Sequence, residues 1–257
     1  MRIRWPRPLV ALGLIAVAAC DSPLGRQYEY EEQLYLGVDG SATLILSSSI
    51  PALVALRDVP LDPSPAARVD RDRVREVFEA AGCPVSSVGQ PWRRDGRRFV
   101  QVRFETEDVR TLDRCGALSW SDYAFETTAG EDGEDRLRYV QTIGGAAGGN
   151  PGDVNWTGRE VVGFKLHLPS RIEYHNVRRL EDGEPGEAER GNILAWEQYL
   201  TDRRKGAPIR MEVLMGAESI LYQTLLLFAS AFGAAVAVLG TAIWFTVRRG
   251  RKRAAVV

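Results

Sequence analysis

The stretch YEYEEQLYLGVDGSATLIL, residues 28–46, decides the fold class. From Tyr28 to Leu36, apolar side chains alternate with polar ones, which is typical of a strand with one buried face. Asp39-Gly40 is a strong signal for a tight hairpin turn. Alternate apolar residues continue from Ala42 to Leu46 beyond the turn. The stretch therefore predicts two antiparallel strands joined by a hairpin.

The same alternation recurs along the chain and predicts further strands. They lie at 98–104, 120–127, 136–143, 159–168, 172–174, 194–200 and 209–215, and a second hairpin turn lies at Arg94-Asp95-Gly96. Ile172 and Tyr174 have the same phase as the strand that ends before Pro169-Ser170.

Helical spacing predicts one helix over Val69–Ala81 and a second, capped by Thr106, over Glu107–Cys115. A proline-rich connection is expected from Pro51 to Pro65, and a flexible glycine-rich loop from Gly144 to Gly152. We thus expect an α+β fold whose ectodomain is mainly antiparallel β-sheet with two short helices, followed by one C-terminal transmembrane helix.

The N-terminus has the pattern of an export signal. Three arginines (Arg2, Arg4 and Arg7) precede a short apolar run, Leu9 to Val17, which is too short to cross a hydrocarbon core of roughly 30 Å. The run ends in Val17-Ala18-Ala19-Cys20, which resembles the lipobox of bacterial lipoproteins and implies lipidation of Cys20. Residues 1–19 are therefore predicted to be a lipoprotein signal peptide; the alternative is an ordinary signal peptide cut near Ala19.

The C-terminal part of the chain has the pattern of a membrane span. Residues 219–247 carry no charge, and this run exceeds the roughly 20 residues that a spanning helix needs. The basic tail, 248–257, then predicts a cytoplasmic C-terminus by the positive-inside rule. Residues 20–218 should accordingly form an extracytoplasmic domain, on the periplasmic or outer face of a bacterial cytoplasmic membrane.

The charge of the chain argues against a nucleic-acid partner. The whole chain has a formal net charge of −1; the N-terminal arginines contribute +3 and the tail +5, so the segment between them carries −9. Nucleic-acid binders concentrate positive charge on one surface. Nucleic acid is therefore not an expected partner. Membrane lipid is an expected partner because of the placement of the domain at a membrane face, not because of its charge.

Cys83 and Cys115 remain as a pair once Cys20 is assigned to the lipid. Exported thiols tend to oxidise, so a disulfide between them is expected; the alternative is two buried free thiols. A bridge over a loop of this length would contribute roughly 3–4 kcal/mol.

No motif in the sequence indicates an enzyme. There is no Gly-x-Ser-x-Gly elbow, and the glycine-rich loop lacks the lysine of a phosphate cradle. Ser170 and His175 are close in sequence without an orienting acid. His167 and His175 are expected to face solvent rather than to bind metal. We expect no catalytic residues, no metal site and no cofactor.

Four small residues repeat at every fourth position of the predicted span, namely Ala229, Gly233, Ala237 and Thr241. Such a seam allows a second helix to approach closely, which favours a transmembrane partner or a homo-oligomer. The alternative is that small residues are simply common in spans.

The order of these features resembles that of the LppM-type lipoprotein domain family of actinobacteria. The order comprises the lipobox, the Asp-Gly hairpin, a helix, the strand that ends in His167-Leu168-Pro169-Ser170, the segment from Gly191-Asn192 to Trp196, and the span. The resemblance implies an extracytoplasmic α+β domain that contacts envelope lipids, with no catalytic residues to carry over.

Two functions follow as expectations. The first is a non-enzymatic, membrane-anchored envelope lipoprotein whose domain contacts lipid or other envelope components. The alternative is an accessory or assembly subunit of a membrane protein complex. Alternating strands could enclose a lipid tail in an apolar pocket or could surround a filled core; the first function predicts the pocket.

Overall fold

The computed structural model describes residues 26–130, 132–189 and 191–254. The predicted signal peptide and Cys20 lie outside the described residues. The strands are β1 (Tyr30–Leu36), β2 (Ala42–Ser49), β3 (Val85–Val88), β4 (Trp92–Arg94), β5 (Arg97–Thr106), β6 (Ser121–Ala129), β7 (Asp135–Ile143), β8 (Val161–His167), β9 (Ser170–His175), β10 (Ile193–Tyr199) and β11 (Ile209–Ser219). The α-helices are α1 (Ile50–Arg57), α2 (Arg71–Ala80), α3 (Leu200–Arg204) and α4 (Ile220–Ala254), and a 3-10 helix spans Val109–Arg114. The predicted α+β class is confirmed.

Seven strands form the larger sheet, sheet I, in the order β10-β8-β1-β2-β5-β3, and β4 also pairs with β5. Both predicted hairpins are present: β1 and β2 pair antiparallel, as do β4 and β5. At the second turn, Asp95 and Gly96 both have positive φ angles, of 49° and 74°, which suits the right-handed twist of the flanking strands. The pairing of β1 with β8 is parallel.

Four strands form the smaller sheet, sheet II, in the order β6-β7-β11-β9, with antiparallel pairing throughout. Ile172 and Tyr174 have the same sequence phase as β8, but β9 pairs with β11 in sheet II whereas β8 lies in sheet I. Proline has a fixed φ and lacks an N–H donor, so a strand readily breaks at Pro169 and the chain changes sheets there.

Helix α1 replaces the start of the predicted proline-rich connection. The Ser49 side chain caps it by accepting a hydrogen bond from the Ala52 amide at 3.1 Å, and Pro51 occupies the first turn, where a missing N–H donor costs nothing. All eight of its residues are buried, so the helix shows no alternation between apolar and polar faces. A pattern search for an amphipathic helix could not detect it.

The two predicted helices are present in shortened form, as α2 and the 3-10 helix. The cap of the 3-10 helix is Asp108, whose carboxylate accepts from the Arg110 amide at 3.0 Å, rather than Thr106. A disulfide joins Cys83, just after α2, to Cys115, just after the 3-10 helix. The bridge therefore ties the ends of two helices together through cysteines that are 32 positions apart in the chain.

One hydrophobic core joins the two sheets and the short helices. Sheet I contributes residues such as Leu34 and Phe164, sheet II contributes Tyr139 and Val213, and α1 contributes Leu53. The opposite face of sheet II carries paired charges. Strand β11 ends at Ser219 and α4 begins at the next residue, so the domain joins its C-terminal helix without a linker.

Candidate functional site

Helix α4 is long and apolar enough to cross a membrane. Its apolar segment, Ile220–Thr246, has 27 residues and a mean hydropathy of 2.1. No residue of its most apolar stretch is buried against the rest of the described chain. At 1.5 Å per residue it is about 40 Å long, more than the roughly 30 Å of a hydrocarbon core. The Ile220 amide donates to the Pro169 carbonyl at 3.0 Å, which ties the start of the helix to the start of β9.

The predicted small-residue seam lies on this exposed helix. All four of its residues, Ala229, Gly233, Ala237 and Thr241, are exposed. The Thr241 hydroxyl donates to the Ala237 carbonyl at 2.7 Å, so it is used within the helix. The role of the seam in helix pairing stays a prediction.

A polar cleft of about 360 Å³ lies at the other end of the domain. The segment before β1, the β4–β5 hairpin and the segment before β8 form its walls. Three arginines and three acids are among the lining residues, namely Arg94, Arg97, Arg159, Glu29, Asp95 and Glu160.

The length of β8 separates the cleft from α4. The Glu29 amide donates to the Val161 carbonyl at one end of β8, and Pro169, which contacts Ile220, follows the other end. At about 3.3 Å per residue, the eight steps from Val161 to Pro169 span about 26 Å. The cleft and the apolar helix are therefore at opposite ends of sheet I.

Glu29 forms the buried floor of the cleft, with a side chain only 2% exposed. Its carboxylate accepts from the Ser49 hydroxyl at 2.5 Å and from the Trp156 indole at 3.0 Å. The Arg97 guanidinium lies 2.9 Å from the same carboxylate and donates to the Asn155 carbonyl at 3.2 Å. A buried charge needs such partners, and these hold Arg97 in place.

Arg94 forms one wall of the cleft. Its guanidinium carbon lies 4.2 Å from the centre of the Phe99 ring, and its Nη2 donates to the Tyr28 carbonyl. Its Nε is buried and has no hydrogen-bond partner among the described residues. Burial lowers the pKa of Arg94, against the nearby carboxylates of Glu29 and Asp95, which raise it.

The opposite wall carries Arg159 and Glu160. The Glu160 carboxylate accepts from the backbone amides of Thr157 and Gly158 at 2.7 and 2.9 Å. Burial opposes ionisation of Glu160, but these backbone hydrogen bonds prevail and lower its pKa. The exposed Arg159 side chain has no ion pair or hydrogen bond within the described part of the chain.

A second charged group lies in the core between the sheets; we call Glu32, Arg57, Trp120 and Arg203 the core cluster. The guanidinium carbons of Arg57 and Arg203 lie 4.0 and 5.2 Å from the Trp120 ring centre. The Trp120 indole donates to Glu32 at 3.2 Å. All three ionisable side chains are buried. Burial raises the pKa of Glu32, against the Tyr30 and Trp120 hydrogen bonds and the charges of Arg57 and Arg203, which lower it.

Sequence reasoning missed both charged groups. Glu32 has the same strand parity as the buried Tyr30 and Leu34, and a carboxylate at a core position is a signal that could have revealed it. The sequence indicates the cleft more weakly, through the two arginines that flank Asp95-Gly96. Glu29 and Trp156 are 127 positions apart in the chain, and only the fold shows that they meet.

The residues weighed for catalysis or metal binding do not assemble. Ser170 and His175 occupy opposite ends of β9, and His167 lies in sheet I whereas His175 lies in sheet II. His167 stacks on Tyr35 with ring centres 3.9 Å apart, and burial, helped by Lys165, lowers its pKa. Within residues 26–130, 132–189 and 191–254, no group of three or more His, Cys, Asp or Glu could hold a metal ion.

The glycine-rich loop packs against α1. The Ala147 amide donates to the Leu56 carbonyl at 2.8 Å. A Cβ added at Gly149 would lie 2.1 Å from the Val54 carbonyl oxygen. Glycine at this position therefore allows the loop and the helix backbone to approach closely.

The sequence matches no family profile and no curated protein sequence. Among solved structures, the NMR structure of the folded domain of Mycobacterium tuberculosis LppM is similar, with a TM-score of 0.38 and 11% sequence identity. The match covers 76% of this chain and 94% of that one. Because both the identity and the TM-score are low, the proposals for this chain rest on its own residues.

Proposed function

We propose that this protein is a non-enzymatic envelope lipoprotein that α4 anchors to a bacterial cytoplasmic membrane and whose extracytoplasmic domain contacts envelope components. The direct junction of β11 with an exposed 27-residue apolar helix carries this proposal. A span that begins where a strand ends keeps the domain at one membrane face, because no flexible segment separates them. The basic residues after the helix favour a cytoplasmic C-terminus.

The cavities lined by described residues favour contact with polar groups over enclosure of an acyl chain. A cavity with an almost wholly apolar lining, between α1, α2 and Gly116-Ala117, has about 100 Å³, whereas ligand pockets generally have 300–1,000 Å³. The cleft beside Glu29 reaches that range and is lined by charged groups. The expected apolar lipid-tail pocket therefore has no support among these cavities, and the polar cleft is the better place for contact.

Membrane insertion and sidedness can be tested on the full chain in bacterial cells. We expect it to stay in the membrane after alkaline carbonate extraction, and a protease added to spheroplasts to remove the domain while a C-terminal tag stays protected. A variant with Leu227→Arg and Val238→Arg should lose insertion, because a central arginine costs roughly 2.5–3.5 kcal/mol. Extraction of the unaltered chain by carbonate would contradict the proposal.

Lipidation of Cys20 has its own measurement. The mass of the mature N-terminus should correspond to cleavage before Cys20 plus a diacylglycerol, and Cys20→Ser should lack this addition. A mature chain cut near Ala19 with an unmodified thiol would reduce the proposal to a protein anchored by α4 alone.

The exposed seam on α4 favours a second candidate function, an accessory subunit of a membrane complex. No element of the described chain covers the seam, so its small residues are free to contact another helix. Gly233→Leu with Ala237→Leu should abolish co-purification of a membrane partner or of a second copy. Leu227→Ala with Val238→Ala is the matched control, and equal recovery of the partner with both variants would reject this candidate.

A further inference from the structure

We propose that the cleft beside Glu29 binds the oxygen atoms of an anionic group, a carboxylate or a phosphate, on a molecule that reaches the domain from the side facing away from the membrane. The direction of approach rests on the proposed function; the ligand chemistry rests on the cleft alone.

Two of the three acids of the cleft, Glu29 and Glu160, already accept hydrogen bonds from the protein, which favours its cations as ligand-binding groups. Glu29 accepts from Ser49, Trp156 and Arg97, and Glu160 accepts from two backbone amides. A metal ion or an ammonium group would have to displace these donors. The formal charges in the lining are balanced, but the carboxylates of Glu29 and Glu160 are engaged in hydrogen bonds, whereas Asp95 is 63% exposed and forms only longer ion pairs.

Two guanidinium groups retain donors that the described residues do not use. Arg94 has a buried Nε without a partner, and the Arg159 side chain has no described partner. Asp95 forms only longer ion pairs here: its carboxylate lies 3.8 Å from Arg94 Nε and 3.7 Å from Arg97 Nη2, beyond hydrogen-bond distance, and its side chain is 63% exposed at the hairpin tip. Planar guanidinium groups suit carboxylate and phosphate oxygens, which accept two hydrogen bonds at once.

Contacts within the protein hold Arg94 and Arg97 of the cleft in place. Arg94 packs on the Phe99 ring, and Phe99 in turn stacks on Trp92, with ring centres 5.4 Å apart. Arg97 is held by Glu29 and by the Asn155 carbonyl. A ligand therefore meets one wall and a floor whose side chains are already ordered, which reduces the entropy lost on binding; Arg159 is exposed on the opposite wall.

The position of the cleft separates two sources of the anionic group. Because about 26 Å of β8 lies between the cleft and the start of α4, the headgroups of the membrane that α4 spans are out of reach. A soluble anion, or an anionic group that projects from another envelope component, reaches it freely.

The test is a titration of the full chain in dodecyl maltoside micelles with inorganic phosphate and with citrate, followed by calorimetry at constant ionic strength set with chloride. We expect saturable binding, weakened about tenfold or more by Arg159→Gln, since a charge-assisted hydrogen bond contributes roughly 1.5–3 kcal/mol. Arg94→Gln should weaken it similarly. Arg159 is exposed, so its variant tests the site even if Arg94→Gln folds poorly.

Arg114→Gln is the matched control, because Arg114 is also exposed and does not line the cleft. The cleft proposal would be overturned if neither phosphate nor citrate bound saturably. Equal affinity of Arg159→Gln and Arg114→Gln for these probes would also overturn it.

A second arm separates the cleft from the proposed orientation. The full chain is placed in nanodiscs of phosphatidylcholine, or of phosphatidylcholine and phosphatidylglycerol in equal amounts, and the phosphate titration is repeated. We expect the same affinity in both. Competition by phosphatidylglycerol of the same disc would show that the cleft lies at the membrane surface; this would overturn the proposed approach and orientation while leaving the oxyanion site intact.

Discussion

The core cluster and the outer face of sheet II use the same residue types with opposite electrostatic results. On that face, the outer ladder consists of Arg136, Arg138, Glu173, Arg210 and Glu212. Pairing with Arg138 lowers the pKa of Glu212 and raises that of Arg138. In the core cluster, burial raises the pKa of Glu32 and lowers that of Arg57.

The two regions differ in the solvent exposure of their charged side chains and in the distance between opposite charges. In the outer ladder, Arg138 lies 2.6 Å from Glu212 and both side chains are partly exposed, so each ion keeps solvent and gains a partner. In the core cluster the side chains are buried, and neither Arg57 nor Arg203 forms an ion pair with Glu32 within 4.0 Å, although the charges of both arginines act on it. Pairing at the surface favours the charged forms, whereas burial disfavours them unless pairing compensates fully.

The largest expected effect is that of Glu32→Gln. Glutamine can still accept from Trp120 but removes the carboxylate that balances Arg57 and Arg203. We expect the free energy of unfolding to fall by about 3–5 kcal/mol at pH 8, the usual result of leaving a buried charge without its counterion. Urea unfolding of the full chain in micelles measures this; a loss below about 1 kcal/mol would mean that Glu32 is already neutral in the folded protein.

The two regions should also differ in the sign of their pH dependence. The raised pKa of Glu32 means that the folded state keeps its proton to higher pH than the unfolded state. The free energy of unfolding should therefore fall as pH rises from the ordinary glutamate value, about 4.3, to the folded pKa, by up to about 1.4 kcal/mol per pH unit.

Glu212 should act in the opposite direction. Its lowered pKa contributes stability that is present above about pH 4.3 and is lost as pH falls through the folded value. The free energy of unfolding should be measured from about pH 3 to pH 8. In Glu32→Gln its decrease with rising pH should disappear, and in Glu212→Gln part of its decrease at acid pH should disappear. The same pH profile in both variants would remove the distinction between the regions.

A smaller effect is expected for Arg203→Met. The substitution removes the excess buried cation, together with the Nε and Nη1 that have no described partners, while Glu32 and Arg57 stay. The hydrogen bond to the Gly144 carbonyl is lost, so we expect the two effects to offset each other to within about 1 kcal/mol. A loss as large as that of Glu32→Gln would show that Arg203 is required as a charge, contrary to the view that it is in excess.

The smallest effect is expected for Glu212→Gln at neutral pH. Partly exposed ion pairs contribute about 0.2–1 kcal/mol, and salt screens them. We expect a loss in this range that shrinks when sodium chloride is raised to about 1 M. Glu79→Gln is the control, because Glu79 lies on the exposed face of α2, 3.3 Å from Arg75, and it should change stability even less. If the loss in Glu212→Gln were insensitive to salt, the outer ladder would be effectively buried.

The contrast also explains how far sequence reasoning reached. Asp39-Gly40 and Asp95-Gly96 encode their turns through local backbone preference, so both hairpins could be predicted. Helix α1 was missed because it is buried on every side and has no polar face. Glu32 was passed over because neighbouring Tyr30 and Leu34 were sufficient to indicate a strand.

The sequence by itself determined the features that depend on neighbouring residues: the strand alternation, the tight turns, and an apolar run long enough for a span. Only the tertiary structure decided that β9 leaves the sheet of β8, that Glu29 meets Trp156 and Arg97 in a cleft, and that Glu32 and two arginines are buried around Trp120. The physical reason is range: turn and strand preferences act over a few residues, whereas burial and ion pairing depend on groups that the chain brings together from distant positions.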